Sequence, residues 1–250
     1  MNLNYQQAGL GQIKKTTHMN NEIKKIITID GPAGAGKSTM ARELARRLDW
    51  VYLDTGAIYR ALAYTALQRG VDPNDQAASE ELAHSVKVTV SANPMGTAIL
   101  VDDQDVSEHL RSPEISMAAS SISAWPGVRA ALLDIQKTEG DKGKIVVEGR
   151  DMGTVVFPNA GLKIFLYASP EERAQRRYKE LTAKGLPVDL EQVLKEINER
   201  DHNDRNRPVS PLKAATDAMT IDSTNLDTDS VQKMMVNAFR CKFFAKNGQA

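Results

Sequence analysis

Hydrophobic residues in the first part of this 250-residue chain alternate between short continuous runs and helical stripes. Residues 26–29 form an apolar run bounded by Asp30 and a glycine-rich turn, which predicts a buried strand. Apolar side chains then recur every four residues over 40–48, as on one face of an amphipathic helix. Residues 51–53 predict a second short strand, and another helical stripe follows it over 58–66.

The second half of the chain continues this alternation. Three more strands are predicted, at 144–147, 162–167 and 218–221. Helical stripes occur at 190–197 and, as a closing helix, at 229–240. Near-continuous apolar strands separated by helices are typical of a parallel sheet covered on both faces. We therefore predict an α/β fold with a five-stranded parallel sheet and helices on both faces.

The helix after the fourth strand has a clear start signal. Ser169 is a candidate N-cap, and Pro170 suits the first helical position. Glu172 stands at the third helical position, where its side chain could return a hydrogen bond to the cap residue. The segment therefore predicts a helix that begins with a capping box.

Residues 72–112 break the alternation. The β-like stretches 87–90 and 98–101 are joined by a turn-rich segment at 93–96, which predicts a β-hairpin. No internal repeat or low-complexity linker separates this region from the rest of the chain. We therefore predict an inserted lobe at about 72–112 within a single domain.

The domain is expected to span residues 23–240. Residues 1–22 are polar and lack the apolar stretch of a signal peptide, and Met19 lies just before the first organised segment. We expect 1–22 to be a disordered extension or a tag. Residues 241–250 are expected to form a C-terminal tail.

Charge and composition narrow the possible partners. Lys+Arg and Asp+Glu both number 32, so no global field would steer the chain to nucleic acid or to an anionic membrane. No apolar run approaches the roughly 18 residues that suggest a membrane span. The single cysteine, Cys241, allows no intrachain disulfide, which fits a reducing cytoplasm. We expect a cytoplasmic monomer with no nucleic-acid or membrane partner.

A phosphate-binding motif follows the first predicted strand. The pattern GxxxxGK[ST] lies between a predicted strand and a predicted helix, which is the context that the motif requires. Backbone N–H groups of such a loop surround the phosphates, and the helix N-terminus favours their negative charge. Its residues are Gly31, Pro32, Ala33, Gly34, Ala35, Gly36, Lys37, Ser38 and Thr39.

Two side chains of this loop have expected roles. Lys37 would reach the β- and γ-phosphates, and the Ser38 hydroxyl would ligate Mg²⁺. The alternative is a glycine-rich turn between a strand and a helix that binds no ligand. The motif predicts a bound nucleoside triphosphate, but GTPase switches, ATPase motors and small-molecule kinases all share it.

Polar clusters follow two further strands. The segment 54–60 comes directly after the second strand and 148–154 after the third, so both are expected at the ligand-binding edge of the sheet. Taken alone, Thr55 could simply cap its helix and Arg60 could be a solvated arginine.

A third polar cluster lies at 200–208. Arg200, Asp204 and Arg207 have the spacing of one helical face, although Pro208 favours a non-helical conformation at Arg207. A charged surface stripe is the alternative interpretation of this cluster.

Five segments together resemble the bacterial cytidylate kinase family. They read GPAGAGKST, DTGAIYR, AASSISAWPGVR, EGRDMGTVVFP and RDHNDRNR, in the expected order across about residues 24–240. The resemblance implies a P-loop kinase with a five-stranded parallel core, a nucleotide-binding insertion and a short mobile lid. It also implies ATP with Mg²⁺ as the phosphoryl donor, and CMP and dCMP as acceptors that become CDP and dCDP.

The resemblance also implies roles for individual residues. The acceptor and transferring phosphates would be lined by Thr55, Arg60, Arg150, Arg200 and Arg207, with Lys37 and these four arginines as catalytic groups. Cytosine would be read by Ser120, Arg129 and Asp151, and the sugar would be bound by Asp204. Thr55 replaces the serine of many relatives and keeps the hydroxyl, whereas Glu148 replaces the aspartate of some relatives.

The residue types suit phosphoryl transfer. That reaction needs in-line positioning and neutralisation of spreading charge, and guanidinium groups grip phosphate while staying charged. No general base is needed, because an acceptor phosphate oxygen is already anionic. The helix that begins at Pro170 carries three arginines that fit equally well in a lid over ATP or in solvent, namely Arg173, Arg176 and Arg177.

Two other functions remain open at this point. A P-loop kinase could act on UMP, AMP or shikimate instead. A nucleotide-driven switch protein is the other alternative, although the chain has no [NT]-K-x-D segment of the kind that reads guanine.

Overall fold

The computed structural model describes residues 24–93 and 96–244. Its strands are β1 Ile26–Asp30, β2 Val51–Asp54, β3 Val88–Asn93, β4 Gly96–Val101, β5 Gln104–Asp105, β6 Ile145–Gly149, β7 Leu162–Tyr167 and β8 Met219–Asp222. Its α-helices are α1 Lys37–Leu48, α2 Thr55–Gln68, α3 Gln76–Ser85, α4 Pro113–Ile122, α5 Pro126–Asp141, α6 Pro170–Ala183, α7 Leu190–Asn206 and α8 Thr228–Phe244. A 3₁₀ turn at Ser107–His109 and a π-helical turn at Met152–Val156 complete the described elements.

The strands form one sheet in the order β5-β4-β3-β2-β6-β1-β7-β8. Five neighbouring strands, from β2 to β8 in that order, pair in parallel. This confirms the predicted five-stranded parallel sheet. Strand β1 lies between β6 and β7. The connection after β1 leads towards β2 on one side of it, and the connection after β7 leads to β8 on the other side, which opens a crevice at the carboxyl end of β1.

Successive side chains of a strand lie on opposite faces of the sheet and belong to two separate cores. Ile27 and Ile29 of β1 pack with α1 and α8 on one face of the sheet. Ile26 belongs to the core on the other face, which α2 to α5 cover. The same alternation on β6 sends Val146 to the first core and Val147 to the second. The helices therefore lie on both faces, as predicted.

The predicted hairpin is present, and it extends the central sheet. Strand β3 pairs with β4 in antiparallel register and joins the parallel strands through the pair Tyr52 and Asn93. The turn predicted at 93–96 includes residues 94 and 95, which lie outside the described residues. The segments 1–22 and 245–250 of the predicted extension and tail also lie outside them, while α8 continues past the predicted end at 240 to Phe244.

Helices α6 and α7 form an antiparallel pair with a small core of their own. The N-cap prediction for α6 is confirmed, because the Ser169 hydroxyl accepts from the backbone N–H of Glu172 at 3.2 Å. The reciprocal half of the capping box is wrong. The Glu172 carboxylate pairs with Arg176 at 2.9 Å, and the backbone N–H of Ser169 donates to Thr224 instead.

Within the described ranges, no helix combines the length and the apolar character that crossing a membrane requires.

Candidate active site

The three polar segments predicted from the sequence meet at the carboxyl edge of the parallel strands. They surround a cavity of about 540 Å³. Its lining includes these predicted residues: Ala33, Gly34, Gly36, Lys37, Ser38, Thr39, Thr55, Arg60, Ser120, Arg129, Arg150, Asp151, Arg200, Asp204 and Arg207. Three predicted P-loop residues, Gly31, Pro32 and Ala35, are buried behind this surface and do not line the cavity.

Two glycines allow the P-loop to pack tightly under the cavity. Gly31 has a φ of +151°, and a Cβ atom there would lie 1.9 Å from the backbone oxygen of Leu166. Gly34 has a φ of +76°, and its Cβ would lie 3.1 Å from the Cβ atom of Arg173. Side chains at these two positions would therefore force the loop away from β7 and α6.

Lys37 begins helix α1 and is buried beside the loop. Its ammonium group donates to the Pro32 carbonyl at 2.7 Å. Burial, reinforced by the nearby positive charge of Arg150, lowers the pKa of Lys37 to about 7, while Glu148 and Asp204 act in the opposite direction. Anionic phosphate groups in the cavity would favour the charged form of this lysine.

Two carboxylates, Asp54 and Glu148, lie side by side at the ends of β2 and β6. Burial and the Asp54 charge raise the pKa of Glu148, and the Tyr52 hydroxyl donates a hydrogen bond to its carboxylate. Asp54 also caps α2 by accepting from the Ala57 N–H at 3.0 Å. Thr55 is therefore not the helix cap, and its hydroxyl donates to the Glu148 carbonyl at 2.7 Å.

Asp30, the last residue of β1, fixes the loop that follows β6. Its two carboxylate oxygens accept from the backbone N–H groups of Met152 at 2.9 Å and Gly153 at 2.7 Å. Burial raises the pKa of Asp30 from 3.8 to about 6, although both hydrogen bonds oppose that shift. Asp30 thereby sets the positions of Arg150 and Asp151, which directly precede the two amides.

The end of α7 brings an acidic residue among the phosphate-binding candidates. Arg150 Nε donates to the Asp204 carboxylate at 2.7 Å. The helix ends at Asn206, and the next residue, Arg207, has the extended conformation expected before a proline. Arg207 Nη1 lies 3.8 Å from Asp204, and its Nε donates to the Ser210 carbonyl at 2.6 Å.

The candidate base-reading residues form a buried cluster. The Arg129 guanidinium donates to the Asp151 carboxylate through Nη2 and to the Ser123 carbonyl at 3.2 Å through Nη1. It also lies over the Tyr59 ring, 5.4 Å from the centroid. Arg207 Nη2 is 3.8 Å from the second Asp151 oxygen. Positive and negative groups thus alternate around one end of the cavity lining.

Several cavity side chains keep hydrogen-bonding capacity for a ligand. Among the described residues, buried polar atoms without a hydrogen-bond partner include four from this site: Arg60 Nε, Arg200 Nε, Arg207 Nη2 and Ser120 Oγ. Buried polar atoms are rarely left unpaired. Burial and the adjacent charge of Arg150 also lower the pKa of Arg200 to about 10. An anion bound among the arginines would accept hydrogen bonds from their unpaired N–H groups and would raise the pKa of Arg200.

The structure separates the three arginines of α6. Arg176 and Arg177 line the cavity, and Arg176 is anchored to the Ser223 carbonyl at 2.7 Å. Arg173 is fully buried and belongs neither to solvent nor to the cavity lining. Sequence reasoning also gave no role to Asp30, Tyr52 or Tyr59, whose partners lie far away along the chain.

The fold and the site define a class of protein. A P-loop at the carboxyl end of β1 shares one cavity with several arginines, an arrangement typical of kinases that transfer a phosphoryl group from a nucleotide. The cytidylate kinase family model matches residues 27–241, and the chain belongs to that family. The resemblance noted in the sequence is therefore confirmed.

Curated relatives agree with the family assignment. A cytidylate kinase from Aeromonas salmonicida is 49% identical over 210 residues, which cover 84% of this chain and 91% of the relative. One from Pelotomaculum thermopropionicum is 47% identical, with 84% and 93% covered. A bifunctional pantoate ligase/cytidylate kinase from Synechocystis is 47% identical over 86% of this chain, but that match covers only 42% of the relative.

Two solved structures share less of this sequence. A shikimate kinase from Acinetobacter baumannii, in complex with shikimate, matches 92% of this chain and 97% of its own, with 16% identity and a TM-score of 0.41. One from Bacteroides thetaiotaomicron matches 86% and 96%, with 13% identity and a TM-score of 0.44. These similarities are too low to inform the choice of acceptor.

Proposed function

We propose that this protein transfers the γ-phosphoryl group of ATP to CMP or dCMP, giving CDP or dCDP. One observation carries the proposal: a single cavity is lined both by the P-loop and by the buried pair of Arg129 and Asp151. The P-loop suits the triphosphate of the donor, and the buried pair suits the polar edge of a pyrimidine acceptor. Membership of the cytidylate kinase family supports this assignment.

On the donor side, Lys37 and the backbone of residues 31–39 would hold the phosphates of ATP. Ser38 would ligate Mg²⁺, and the carboxylates of Glu148 and Asp54 line the same cavity. This donor set fits the ion, because Mg²⁺ prefers oxygen ligands and is usually held by one or two carboxylates, phosphate oxygens and waters. Bound Mg²⁺ would neutralise charge that develops on the transferring phosphoryl group.

On the acceptor side, Arg60, Arg150, Arg200 and Arg207 would surround the acceptor phosphate, with Thr55 beside them. Each guanidinium can donate several hydrogen bonds in a fixed geometry, so the four arginines together would hold the attacking oxygen in line with the γ-phosphorus. Asp204 would bind the sugar of the acceptor. In the structure its carboxylate lies 2.7 Å from Arg150 and 3.8 Å from Arg207, which reduces repulsion within the cluster.

Cytosine would be recognised at the buried cluster. Its C4 amino group would donate to Asp151, assisted by the free hydroxyl of Ser120, and Arg129 would donate to the acceptor edge of the ring. Uracil would instead set a carbonyl oxygen against Asp151 and an N–H against Arg129. Sites that hydrogen-bond a polar group can reject the wrong analogue by about 10⁴-fold or more.

The Asp151→Asn variant tests this assignment. An amide can donate to the uracil carbonyl, so we expect kcat/KM for CMP to fall and the CMP-to-UMP ratio of kcat/KM to shrink. The ratio compares two acceptors in one protein, so a change in folded fraction cancels. Asp141→Asn, at the exposed end of the helix that bears Arg129, is the matched control. An unchanged ratio in Asp151→Asn would mean that cytosine is read elsewhere.

ATP, CMP and dCMP are accordingly the proposed small-molecule partners. We further propose that the protein acts in the cytoplasm as a monomer. Sedimentation equilibrium of the purified protein with both nucleotides present tests the monomer, and a concentration-dependent increase in mass would contradict it.

A further inference from the structure

Arg173 is a buried arginine between the P-loop and the helix pair α6 and α7. Its side chain is 0% exposed, and its guanidinium bonds in three directions. Nε donates to the Ala168 carbonyl at 2.9 Å, and Nη1 donates to the Ala33 carbonyl of the P-loop, also at 2.9 Å. Nη1 and Nη2 donate to the two Asp201 carboxylate oxygens of α7 at 3.1 and 2.6 Å.

Packing alone does not account for this arrangement. Burying an arginine and a carboxylate requires stripping both of water, and well-packed apolar side chains of similar volume often stabilise a protein at least as well. What an apolar side chain cannot supply is a rigid fork that fixes three backbone segments at defined distances. The Arg173–Asp201 pair therefore serves more to fix the relative positions of these segments than to stabilise the fold.

Each end of this network reaches part of the phosphate-handling site. Ala33 lies within the P-loop and lines the cavity, and the neighbouring Gly34 packs directly against the Arg173 side chain. Asp201 directly follows Arg200 in α7, and Asp204 lies on the same helix. Arg173 thus joins the loop proposed to hold the donor to the helix proposed to hold the acceptor.

We propose that Arg173, acting with Asp201, is a positioning residue for phosphoryl transfer. It fixes the position of the P-loop relative to α7, and so fixes the position of the donor phosphates relative to Arg200. It contacts neither nucleotide in this role, and the inference rests on the proposed kinase function. Misplacing reacting groups by about 1 Å can slow a reaction by about 10²-fold even when the altered residue is remote.

Two variants separate the two halves of the network. Arg173→Lys keeps the charge but loses the fork, so the P-loop and α7 are no longer held together. We expect its Kd for ATP to rise about fivefold or more, and its kcat per ATP-binding molecule to fall roughly 10- to 100-fold. Asp201→Asn leaves the Arg173–Ala33 bond in place. It should keep the ATP Kd within about twofold while kcat falls by a similar factor, because only the link to α7 is weakened.

The control is Arg205→Ala, which removes an exposed arginine 3.8 Å from the same Asp201 carboxylate. It should match wild type in kcat and in both dissociation constants. Those two constants are the Kd for ATP and the Kd for CMP measured without ATP.

The result that overturns the inference is a lower melting temperature with unchanged ATP Kd and unchanged kcat per binding-competent molecule in both Arg173→Lys and Asp201→Asn. A network that only stabilises the fold would give that result. Failure of the proposed function is separate, because wild type itself would then not phosphorylate CMP.

Discussion

Asp30 offers a quantitative test of how the loop after β6 is held. Its carboxylate accepts two backbone N–H bonds at 2.9 and 2.7 Å while only 4% exposed, and its pKa is raised from 3.8 to about 6. Because the folded-state pKa lies above the unfolded value, the folded protein keeps the proton between roughly pH 4 and 6 where the unfolded chain has lost it. The resulting stabilisation is complete only below about pH 4 and is lost as the pH rises through about 6.

The size of this effect follows from the two pKa values. One pKa unit corresponds to about 1.4 kcal/mol, so the full effect is about 3 kcal/mol. At pH 5 about 1.4 kcal/mol of it should be present, and at pH 8 almost none. Asp30→Asn cannot titrate at this position. The free energy of unfolding of wild type minus that of Asp30→Asn should therefore grow by about 1.4 kcal/mol between pH 8 and pH 5.

Urea unfolding of both proteins at pH 8 and pH 5 measures this difference, and other titrating groups largely cancel because both proteins contain them. Asp222→Asn is the control. Hydrogen bonds from the Thr224 hydroxyl and N–H hold the Asp222 pKa below its usual value, so this carboxylate is ionised at both pH values of the experiment. The control difference should not grow between pH 8 and 5. A pH-independent difference for Asp30→Asn would refute the burial argument.

The remaining predictions concern the proposed donor and acceptor contacts. Lys37→Ala should abolish transfer to CMP while circular dichroism shows an intact fold, because it removes the cation proposed to contact the β- and γ-phosphates; near-normal turnover would contradict the P-loop assignment. Arg60→Ala, Arg150→Ala and Arg207→Ala should each cost about 1.5–3 kcal/mol in kcat/KM for CMP, with a smaller effect on the Kd for ATP. Wild-type kinetics in all three would rule out this arginine cluster as the acceptor site.

The parallel core could be predicted from the sequence because its strands are short, nearly continuous apolar runs. Helices α3, α4 and α5 were not predicted. The buried face of α4 consists of Ile115, Ala118, Ala119, Ser120 and Ile122, so small side chains separate its two large apolar ones, and the helix packs against α2. Ser120 was nevertheless named as a site residue, because the family resemblance does not depend on assigning its helix.

The supporting residues of the site could not be predicted, because their partners are set by tertiary structure. Asp30 binds amides more than 120 positions away along the chain. Arg173 and Arg177 stand one helical turn apart in α6, yet Arg173 meets the Ala33 carbonyl, 140 positions away, while Arg177 lines the cavity. Helical spacing cannot distinguish these two environments until the P-loop is packed against α6.

The acceptor of the wild-type protein tests the central claim most directly. Nucleoside diphosphate formation from ATP and Mg²⁺ should be measured with CMP, dCMP, UMP, AMP and GMP, with products separated by chromatography. We expect CMP to give CDP and dCMP to give dCDP, with one ADP formed for each product molecule. UMP, AMP and GMP should react at least about 10²-fold less efficiently in kcat/KM. A higher kcat/KM for UMP, AMP or GMP than for CMP, or ADP release without any nucleoside diphosphate product from the acceptor, would contradict the account.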